Sequence, residues 1–285
     1  MKRLSLRAPA KLNLCLKVIN KRDDGFHNLE TLFERIDLVD TLDFVLRKDQ
    51  AIRITSDHPD VPLDAQNLAY RAARLLQTDF GLQNGVDIHI QKRIPVAAGL
   101  AGGSSNAATT LLALNQLWKL ELTQKELLSY AQQLGSDVAF FLYDCSYALG
   151  TGKGDIIKPL NIDTKLWHIL VVPSEKMFTK IVFAALNLEL TKKKYDVNIL
   201  IRSLRRNDLP AIGSFLSNDL EPTIIKLRPN LLKIKEKLRG LNSIGVAFSG
   251  SGPALFGITE TPEHAQKLQV LLKKHFTQVY AVRTL

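Results

Sequence analysis

The stretch from Pro95 to Ala108 carries the strongest chemical signal in the sequence. It is rich in glycine and alanine, follows a predicted strand and leads directly into a predicted helix. Small residues let a ligand approach the backbone, and the N–H groups of a first helical turn, with Ser104 and Ser105, favour an anion. The stretch therefore predicts a phosphate-binding loop, and the alternative is a glycine-rich connection with serine N-caps.

The loop belongs to neither of the commonest phosphate-binding classes. The pattern GxxxxGK[ST] is absent, because Lys153 is followed by Gly154 and lacks the required upstream glycine. The catalytic and metal-binding signatures of protein kinases are also missing. A different class of nucleotide-binding protein is needed.

Two further segments could supply the polar groups of a reaction. Asp137 follows a predicted helix and precedes an apolar run, so its carboxylate can act as a general base, or it is a turn or capping residue. Lys11 and Asn13 share one face of a predicted strand, because side chains alternate. They need partners or a cavity, or they lie on the polar face of an edge strand.

A third glycine cluster, Ser249 to Ala254, lies between two predicted strands. It forms a tight turn alone, or it also brings backbone N–H groups to the same phosphates. The residues leave both interpretations open.

Hydrophobic periodicity predicts the elements that must position these groups. Strands are predicted at 10–18, 42–46, 51–55, 86–90, 167–172, 244–248, 254–258 and 279–282. Helices are predicted at 67–76, 104–118, 123–134, 227–238 and 264–275, the third with a capping box at Thr123 and Glu126. A mixed α/β protein is expected, with a junction at 150–159 that separates an N-terminal lobe, 1–158, from a C-terminal lobe, 159–285.

Composition excludes several classes of protein. The chain has 285 residues, 46% hydrophobic and 23% charged, which does not fit collagen-like, disordered or disulfide-scaffold proteins. Lysine and arginine number 38 and acidic residues 28, a formal charge of +10. This charge favours an anionic substrate or simply solubility. Because the basic clusters at 192–194 and 205–206 are short, no dedicated nucleic-acid surface is predicted.

Cysteine usage and hydropathy predict the location of the chain. Cys15 and Cys145 are expected to be buried free thiols, since neither has metal-ligand spacing. The chain contains neither a signal-peptide core nor an apolar run long enough to span a membrane. A cytoplasmic protein is expected, or a plastid stromal one if a transit peptide has been removed.

Four segments in order, 9–14, 95–108, 135–141 and 249–254, resemble the motif set of the GHMP superfamily, which includes galactokinases, homoserine kinases, mevalonate kinases and phosphomevalonate kinases. The segments 24–33 and 66–68 are similar to those of the superfamily's kinases that act on 4-diphosphocytidyl-2-C-methyl-D-erythritol. The resemblance implies a two-lobed fold, with an N-terminal lobe like domain 2 of ribosomal protein S5 and a C-terminal α+β lobe.

The resemblance also implies an activity and its residues. It implies ATP-dependent phosphorylation of the 2-hydroxyl of that cytidine diphosphate compound, in non-mevalonate isoprenoid precursor biosynthesis. Asp137 would take or orient the hydroxyl proton, while Lys11 lowers the pKa of Asp137 and stabilises charge on the transferred phosphoryl group. Mg²⁺ is expected with ATP, without an identified carboxylate ligand and with a loop serine as one ligand.

The implied binding residues form two sets. Asn67 and Lys92 would lie near the adenine. The phosphates would be wrapped by Pro95, Val96, Ala97, Ala98, Gly99, Leu100, Ala101, Gly102, Gly103, Ser104 and Ser105. The acceptor substrate would be held by Asn13, Phe26, His27, Phe33, Thr179 and Phe183.

The chemistry of Phe26 and His27 agrees with a pyrimidine ligand. A pyrimidine needs a stacking surface and hydrogen bonds along its edge, and an aromatic ring beside an imidazole supplies both. Without the resemblance, the two would be interpreted as a core aromatic and a satisfied core histidine.

Three positions depart from the family pattern. Phe26 replaces a commoner tyrosine, Ala101 stands where glycine is frequent, and Ala139 stands where proline is common. Alanine at position 101 therefore requires a backbone conformation that alanine can accept.

The alternative functions come from different classes. One is another small-molecule kinase of the superfamily, of the homoserine or mevalonate type. Others are a non-catalytic ligand sensor with the same fold and an RNA-binding protein, although the dispersed charge argues against RNA. The expected partners are ATP and the cytidine diphosphate substrate, with neither nucleic acid nor membrane, in a monomer or homodimer.

Overall fold

The computed structural model describes residues 2–188 and 196–285, so the lysines at 192–194 lie outside the described residues. Its strands are β1 (Arg3–Lys21), β2 (His27–Leu46), β3 (Ile52–Ser56), β4 (Val86–Gln91), β5 (Tyr147–Thr151), β6 (Ile156–Leu160), β7 (Trp167–Val172), β8 (Ser217–Asn218), β9 (Gly245–Phe248), β10 (Leu255–Thr259) and β11 (Gln278–Arg283). Its helices are α1 (Leu68–Asp79), α2 (Gly102–Leu117), α3 (Gln124–Leu134), α4 (Val138–Phe141), α5 (Thr179–Ala184), α6 (Val197–Arg205), α7 (Leu209–Phe215), α8 (Glu221–Leu227), α9 (Asn230–Arg239) and α10 (Pro262–Leu272).

The chain divides into two compact units, each assembled from separate segments. Unit 1 holds the chain up to Ala10, Leu38–Val96 and Ala101–Asp144. Unit 2 holds Lys11–Asp37, Ala97–Leu100 and Cys145–Leu285. A lobe boundary at 158/159 does not coincide with these units and stays a prediction.

In unit 1, strands β3, β4 and the second half of β2 pack with helices α1 to α4. β4 pairs antiparallel with β2 over Thr41–Leu46 and parallel with β3. Val86, Ile88 and Ile90 point to the buried face, as the period-two pattern predicts. Helix α2 is lined by buried small and branched residues and contacts α1, which places the beginnings of both helices in one layer.

In unit 2, a four-stranded antiparallel sheet has the order β11-β7-β10-β9. Helices α8, α9 and α10 contact this sheet or its neighbours, and the core between them contains Phe248, Leu238 and Leu268. The first half of β2 pairs antiparallel with β5, which forms a hairpin with β6, and β1 pairs parallel with β8.

The segment of the predicted junction, 150–159, contains the end of β5, a turn and most of β6. Its role as a lobe boundary stays a prediction. The structure corrects two other predicted elements. The helix predicted at 227–238 is interrupted, because Pro229 separates α8 from α9. β2 begins at His27 rather than near residue 42, since buried acidic residues such as Glu34 and Asp40 break the apolar pattern of a strand that is otherwise well covered.

Two further expectations can be compared with the coordinates. Cys15 and Cys145 form no disulfide, and of the two only Cys15 is buried. Burial raises the pKa of the Cys15 thiol to about 12, so it stays protonated at neutral pH. Within residues 2–188 and 196–285, no helix has the length and hydropathy that a membrane crossing requires.

Candidate active site

The end of the glycine-rich loop that leads into α2 has no side-chain acceptor at the N-cap position. Helix α2 begins at Gly102, and its N-cap is Ala101, an apolar residue with a φ of 55°. Its first turn contains no acidic residue. The N-cap side chain therefore leaves the N–H groups at the positive end of this 16-residue helix uncapped, which favours an anion there, and its binding stays a prediction.

Ala101 adopts a left-handed conformation, with a φ of 55°, which favours glycine, whereas the sequence led us to expect a conformation that alanine accepts. A non-glycine residue there costs roughly 1–2 kcal/mol, partly offset by the lower chain entropy of alanine in the unfolded state. Ala101→Gly is therefore expected to raise the free energy of unfolding by about 0.5–1 kcal/mol. Urea denaturation of the two proteins measures this difference, and a loss of stability in the variant would show that the Ala101 backbone is unstrained.

The middle of the loop, Ala97–Leu100, is held by hydrogen bonds inside unit 2. The backbone N–H of Lys11 donates to Leu100 O at 3.2 Å, and that of Ala254 donates to Ala98 O at 3.2 Å. Ser249 Oγ donates to Gly99 O at 3.0 Å. The glycine cluster 249–254 therefore holds the middle of the glycine-rich loop. Its contribution of backbone N–H groups to bound phosphates stays a prediction.

Lys11 and Asn13 are buried and connected to each other. Lys11 Nζ donates to Asn13 Oδ1 at 2.5 Å, and Asn13 Nδ2 donates to Thr31 Oγ1 at 2.7 Å. Thr31 in turn donates to Cys15 O at 2.7 Å. Only 3% of Lys11 and 2% of Asn13 are exposed, so the interpretation of a polar strand face in water is wrong. Sequence reasoning assigned no role to Thr31, whose hydroxyl orients the Asn13 amide.

Phe33 lies beneath this lysine rather than on an open surface. Lys11 Nζ is 5.5 Å from the centroid of the Phe33 ring, within cation–π range. The ring is 1% exposed, and a Cβ at Gly150 would lie 2.5 Å from it. Phe33 therefore supports the Lys11 ammonium, and its direct contact with a substrate stays a prediction.

His27 and Phe183 come together from distant parts of the sequence. Their ring centroids are 5.2 Å apart with an interplanar angle of 34°. His27 is buried, and burial, together with the charge of Lys21, lowers the pKa of its imidazole. A neutral imidazole offers one donor and one acceptor, which matches a heterocycle edge better than an imidazolium does.

The remaining substrate-binding predictions lie in the same unit. Phe183 is on α5, whose first residue, Thr179, shares a 2.9 Å hydrogen bond with Ser251 Oγ. Phe26 is 54% exposed, and Lys153 Nζ lies 4.9 Å from its ring centroid. Ser251 and Lys153 had no predicted role, and only the fold places them beside Thr179 and Phe26.

Asp137 belongs to unit 1 and precedes the one-turn helix α4. It occupies the N-cap position, but within the described residues its carboxylate accepts no capping hydrogen bond. The four α4 residues are buried, including Ala139 at the position where proline is common. Helix N-capping therefore does not explain why an aspartate occupies this half-buried position.

Asn67 and Lys92 are engaged with the protein itself. Asn67 caps α1, accepting from the N–H of Ala69 at 2.9 Å and donating to Pro62 O at 2.7 Å. Lys92 Nζ donates to the buried carboxylate of Asp40 at 2.7 Å. Proximity of either residue to an adenine stays a prediction. Sequence reasoning assigned no role to Asp40.

The predicted site residues are divided between the two units. Unit 2 contains Lys11, Asn13, Phe26, His27, Phe33, Ala97, Ala98, Gly99, Leu100, Thr179 and Phe183. Unit 1 contains Asn67, Lys92, Pro95, Val96, Ala101, Gly102, Gly103, Ser104, Ser105 and Asp137.

Ser104 and Ser105 differ in their surroundings. Ser104 is half-exposed, whereas Ser105 is fully buried and its Oγ has no hydrogen-bond partner among the residues that the structure describes. No group of three or more His, Cys, Asp or Glu residues that could hold a metal ion occurs in the described ranges.

Comparison with known proteins shows the family of the chain. The family descriptions "GHMP kinases N terminal domain" and "GHMP kinases C terminal" match residues 67–145 and 200–278. A 4-diphosphocytidyl-2-C-methyl-D-erythritol kinase from Geobacillus kaustophilus (strain HTA426) is 44% identical over 99% of this chain and 97% of its own length. One from Shouchella clausii (strain KSM-K16) is 43% identical over 98% and 93%.

The chain belongs to the 4-diphosphocytidyl-2-C-methyl-D-erythritol kinase family of GHMP kinases. A solved 4-(cytidine 5'-diphospho)-2C-methyl-D-erythritol kinase has a TM-score of 0.84 and 35% identity, and the match covers 98% of each chain. A homoserine kinase from Cytophaga hutchinsonii has a TM-score of 0.76 at 24% identity, covering 100% of this chain and 95% of its own, which shows the shared fold alone.

Membership settles several predictions. The GHMP kinase fold and kinase activity expected from the sequence are confirmed, and ATP is the phosphoryl donor that the family implies. The sensor and RNA-binding alternatives are not favoured.

Proposed function

We propose that this chain transfers the γ-phosphoryl group of ATP to the 2-hydroxyl of 4-diphosphocytidyl-2-C-methyl-D-erythritol, in non-mevalonate isoprenoid precursor biosynthesis. The observation that carries the proposal is the pairing of His27 with Phe183 at 5.2 Å. This pair supplies a ring face and a neutral imidazole edge, the two contacts that a cytosine needs. The full-length relatives named for the same substrate support it.

The catalytic roles follow the chemistry of each group. Asp137, at the edge of a buried apolar turn, accepts or orients the proton of the acceptor hydroxyl. Lys11 lies at a buried position, and we assign to its ammonium the stabilisation of charge on the transferred phosphoryl group. The hydrogen bonds from Lys11 to Asn13 and from Asn13 to Thr31 fix the direction of the Lys11 side chain.

The proposed binding roles belong to two sets of residues: one binds ATP and the other binds the acceptor substrate. Backbone N–H groups of residues 95–105 surround the phosphates, with Asn67 and Lys92 near the adenine. Phe26, His27, Phe33 and Phe183 surround the cytosine end of the acceptor, and Asn13 and Thr179 hold its polar groups.

Mg²⁺ is proposed as the metal that accompanies ATP. Mg²⁺ prefers oxygen ligands and keeps several waters, so it needs few protein ligands. The buried Ser105 Oγ, which lacks a partner within the described part of the chain, fits one such oxygen ligand. When bound with ATP, the ion neutralises charge on the phosphate oxygens.

The surroundings of the enzyme are part of the proposal. We expect a cytoplasmic enzyme, monomeric or homodimeric, whose partners are ATP and the cytidine diphosphate acceptor rather than nucleic acid or a membrane. The net charge of +10 suits two anionic substrates.

ADP release by the purified protein with ATP and Mg²⁺ tests the proposed acceptor. The rates with 4-diphosphocytidyl-2-C-methyl-D-erythritol, homoserine and mevalonate are compared at equal concentration. ADP release above background with the cytidine compound alone is expected. Faster turnover with homoserine or mevalonate would assign the chain to another substrate class and contradict the cytosine pocket.

His27→Ala is expected to raise the KM for the cytidine acceptor by roughly 10- to 100-fold, because it removes both a ring contact and edge hydrogen bonds. The KM for ATP should stay within about twofold of wild type, since the variant leaves the phosphate-binding loop intact. Steady-state kinetics with each substrate varied in turn measure the split.

Two further variants sharpen that test. His27→Phe keeps an aromatic ring and removes the edge hydrogen bonds, so it should recover part of the loss. His89→Ala is the matched control, since His89 lies on β4 and bonds Thr55. An acceptor KM unchanged in His27→Ala would remove this histidine from the pocket.

A further inference from the structure

One buried carboxylate in unit 1 collects four hydrogen bonds. Asp40 is fully buried in β2. Its Oδ1 accepts from the backbone N–H groups of Arg93, at 2.7 Å, and Ile94, at 2.8 Å. Its Oδ2 accepts from Lys92 Nζ, at 2.7 Å, and from Asn106 Nδ2, at 2.9 Å. A single side chain therefore contacts the three residues that follow β4 and a residue of helix α2.

These contacts lie at the two ends of the phosphate-binding loop. Ile94 immediately precedes the loop, residues 95–105, and Asn106 immediately follows it. Lys92 Nζ also donates to Ile94 O, which adds a second bond to the first end. The loop is thus closed by a buried polar network that belongs to unit 1 alone.

The network also balances charge beside the helix. A Cβ at Gly102 would lie 2.9 Å from Lys92 Nζ, so the ammonium is packed against the first residue of α2. A cation at the positive end of a helix is unfavourable, and burial lowers the pKa of Lys92. The Asp40 carboxylate compensates the ammonium charge, which leaves the N-terminal N–H groups available to an anion.

We propose that Asp40 is a positioning residue for nucleotide binding: it holds Ile94 and Asn106 at a fixed separation and thereby sets the conformation of the loop between them. The proposal rests on the proposed binding of ATP phosphates by this loop. Asp40 contacts no substrate, and its effect reaches ATP through the loop backbone. When the loop is already ordered, its N–H groups bind an anion without the entropic cost of ordering the loop. If one end of the loop is released, ATP binding has to order it, and the affinity for ATP falls.

Asp40→Asn tests the proposal, because the amide keeps the shape of the carboxylate but directs an N–H group at the donors of Lys92 and Asn106. Without ligand, hydrogen–deuterium exchange of peptides covering 95–105 should become faster, while exchange in strands β7 and β10 stays unchanged. The Kd for ATP, from fluorescence titration, should rise at least tenfold, and the Kd for the cytidine acceptor should change less than twofold.

Two more variants keep the test decisive. Asn106→Ala removes the contact between Asp40 and α2 and leaves Asp40 paired with Lys92. Loop exchange and the ATP Kd should both rise, by less than in Asp40→Asn. This variant decides the question if Asp40→Asn does not fold. Asp43→Asn is the matched control on β2, where the carboxylate accepts from Gln91 Nε2 at 3.4 Å.

Specific outcomes would overturn the proposal. The proposal is wrong if Asp40→Asn or Asn106→Ala folds, keeps the wild-type rate of hydrogen–deuterium exchange in the loop, and binds ATP with a Kd within twofold of the wild-type value. Faster exchange throughout the chain would also overturn it, since it indicates a merely structural role. If the wild-type protein fails to bind ATP, the proposed function is wrong, while the ligand-free exchange measurement still decides whether Asp40 orders the loop.

Discussion

Asp137→Asn is expected to lower kcat by about 10²- to 10⁴-fold, because the amide cannot accept the proton of the acceptor hydroxyl. Its Kd for ATP should stay within about threefold of wild type, since the side chain keeps its size and position. Single-turnover phosphoryl transfer measures the chemical step separately from product release. Turnover near the wild-type value would remove Asp137 from the mechanism.

The control for this variant is another aspartate at a helix N-cap. Asp208 precedes α7 and accepts a capping hydrogen bond from the N–H of Ala211 at 3.1 Å, whereas Asp137 makes no such bond in the described structure. Asp208→Asn should therefore change stability by less than about 1 kcal/mol and leave kcat unchanged. Equal effects of the two variants on kcat would indicate that N-capping, and not proton transfer, explains the loss.

Gly99→Ala is expected to lower the free energy of unfolding by about 2–5 kcal/mol. A Cβ at this position would lie 2.2 Å from Ser249 O, and the φ of Gly99 is 81°, a conformation that strains any other residue. The added methyl group therefore has to push the glycine cluster 249–254 away from the loop. Urea denaturation followed by circular dichroism measures the loss.

Gly103→Ala is the matched stability control for Gly99→Ala. The nearest atom to a Cβ there is Leu68 Cδ1 at 3.9 Å, an ordinary van der Waals contact. Because Gly103 lies in a helix, alanine should preserve or raise stability by up to about 1 kcal/mol. A Gly99→Ala protein as stable as Gly103→Ala would contradict the close backbone packing described for Gly99.

Local signals in the sequence predicted several elements correctly. Thr123 and Glu126 form both hydrogen bonds of the predicted capping box, and β7 has the predicted bounds, 167–172. The spacing of Lys11 and Asn13 on one strand face correctly predicted that they would need partners. These features depend on residues a few positions apart, where side-chain geometry is set by the local backbone.

Contacts between distant parts of the chain could not be predicted in the same way. Asp40 binds Lys92 from 52 positions away, and its acidic character made β2 resemble a polar segment rather than a buried strand. Thr31 accepts a hydrogen bond from Asn13, which lies 18 positions earlier in the sequence. In both cases the sequence contains the polar residues, but only the strand pairing and helix packing determine which partner each one meets.

The most direct test of the central claim is the structure of the product. The protein is incubated with ATP, Mg²⁺ and 4-diphosphocytidyl-2-C-methyl-D-erythritol, and the mixture is analysed by ³¹P and two-dimensional ³¹P–¹³C NMR. We predict one new phosphomonoester resonance coupled to the carbon that bears the 2-hydroxyl, formed in equal amount with ADP. A phosphomonoester on another hydroxyl, or ADP accompanied only by inorganic phosphate, would contradict the proposed reaction.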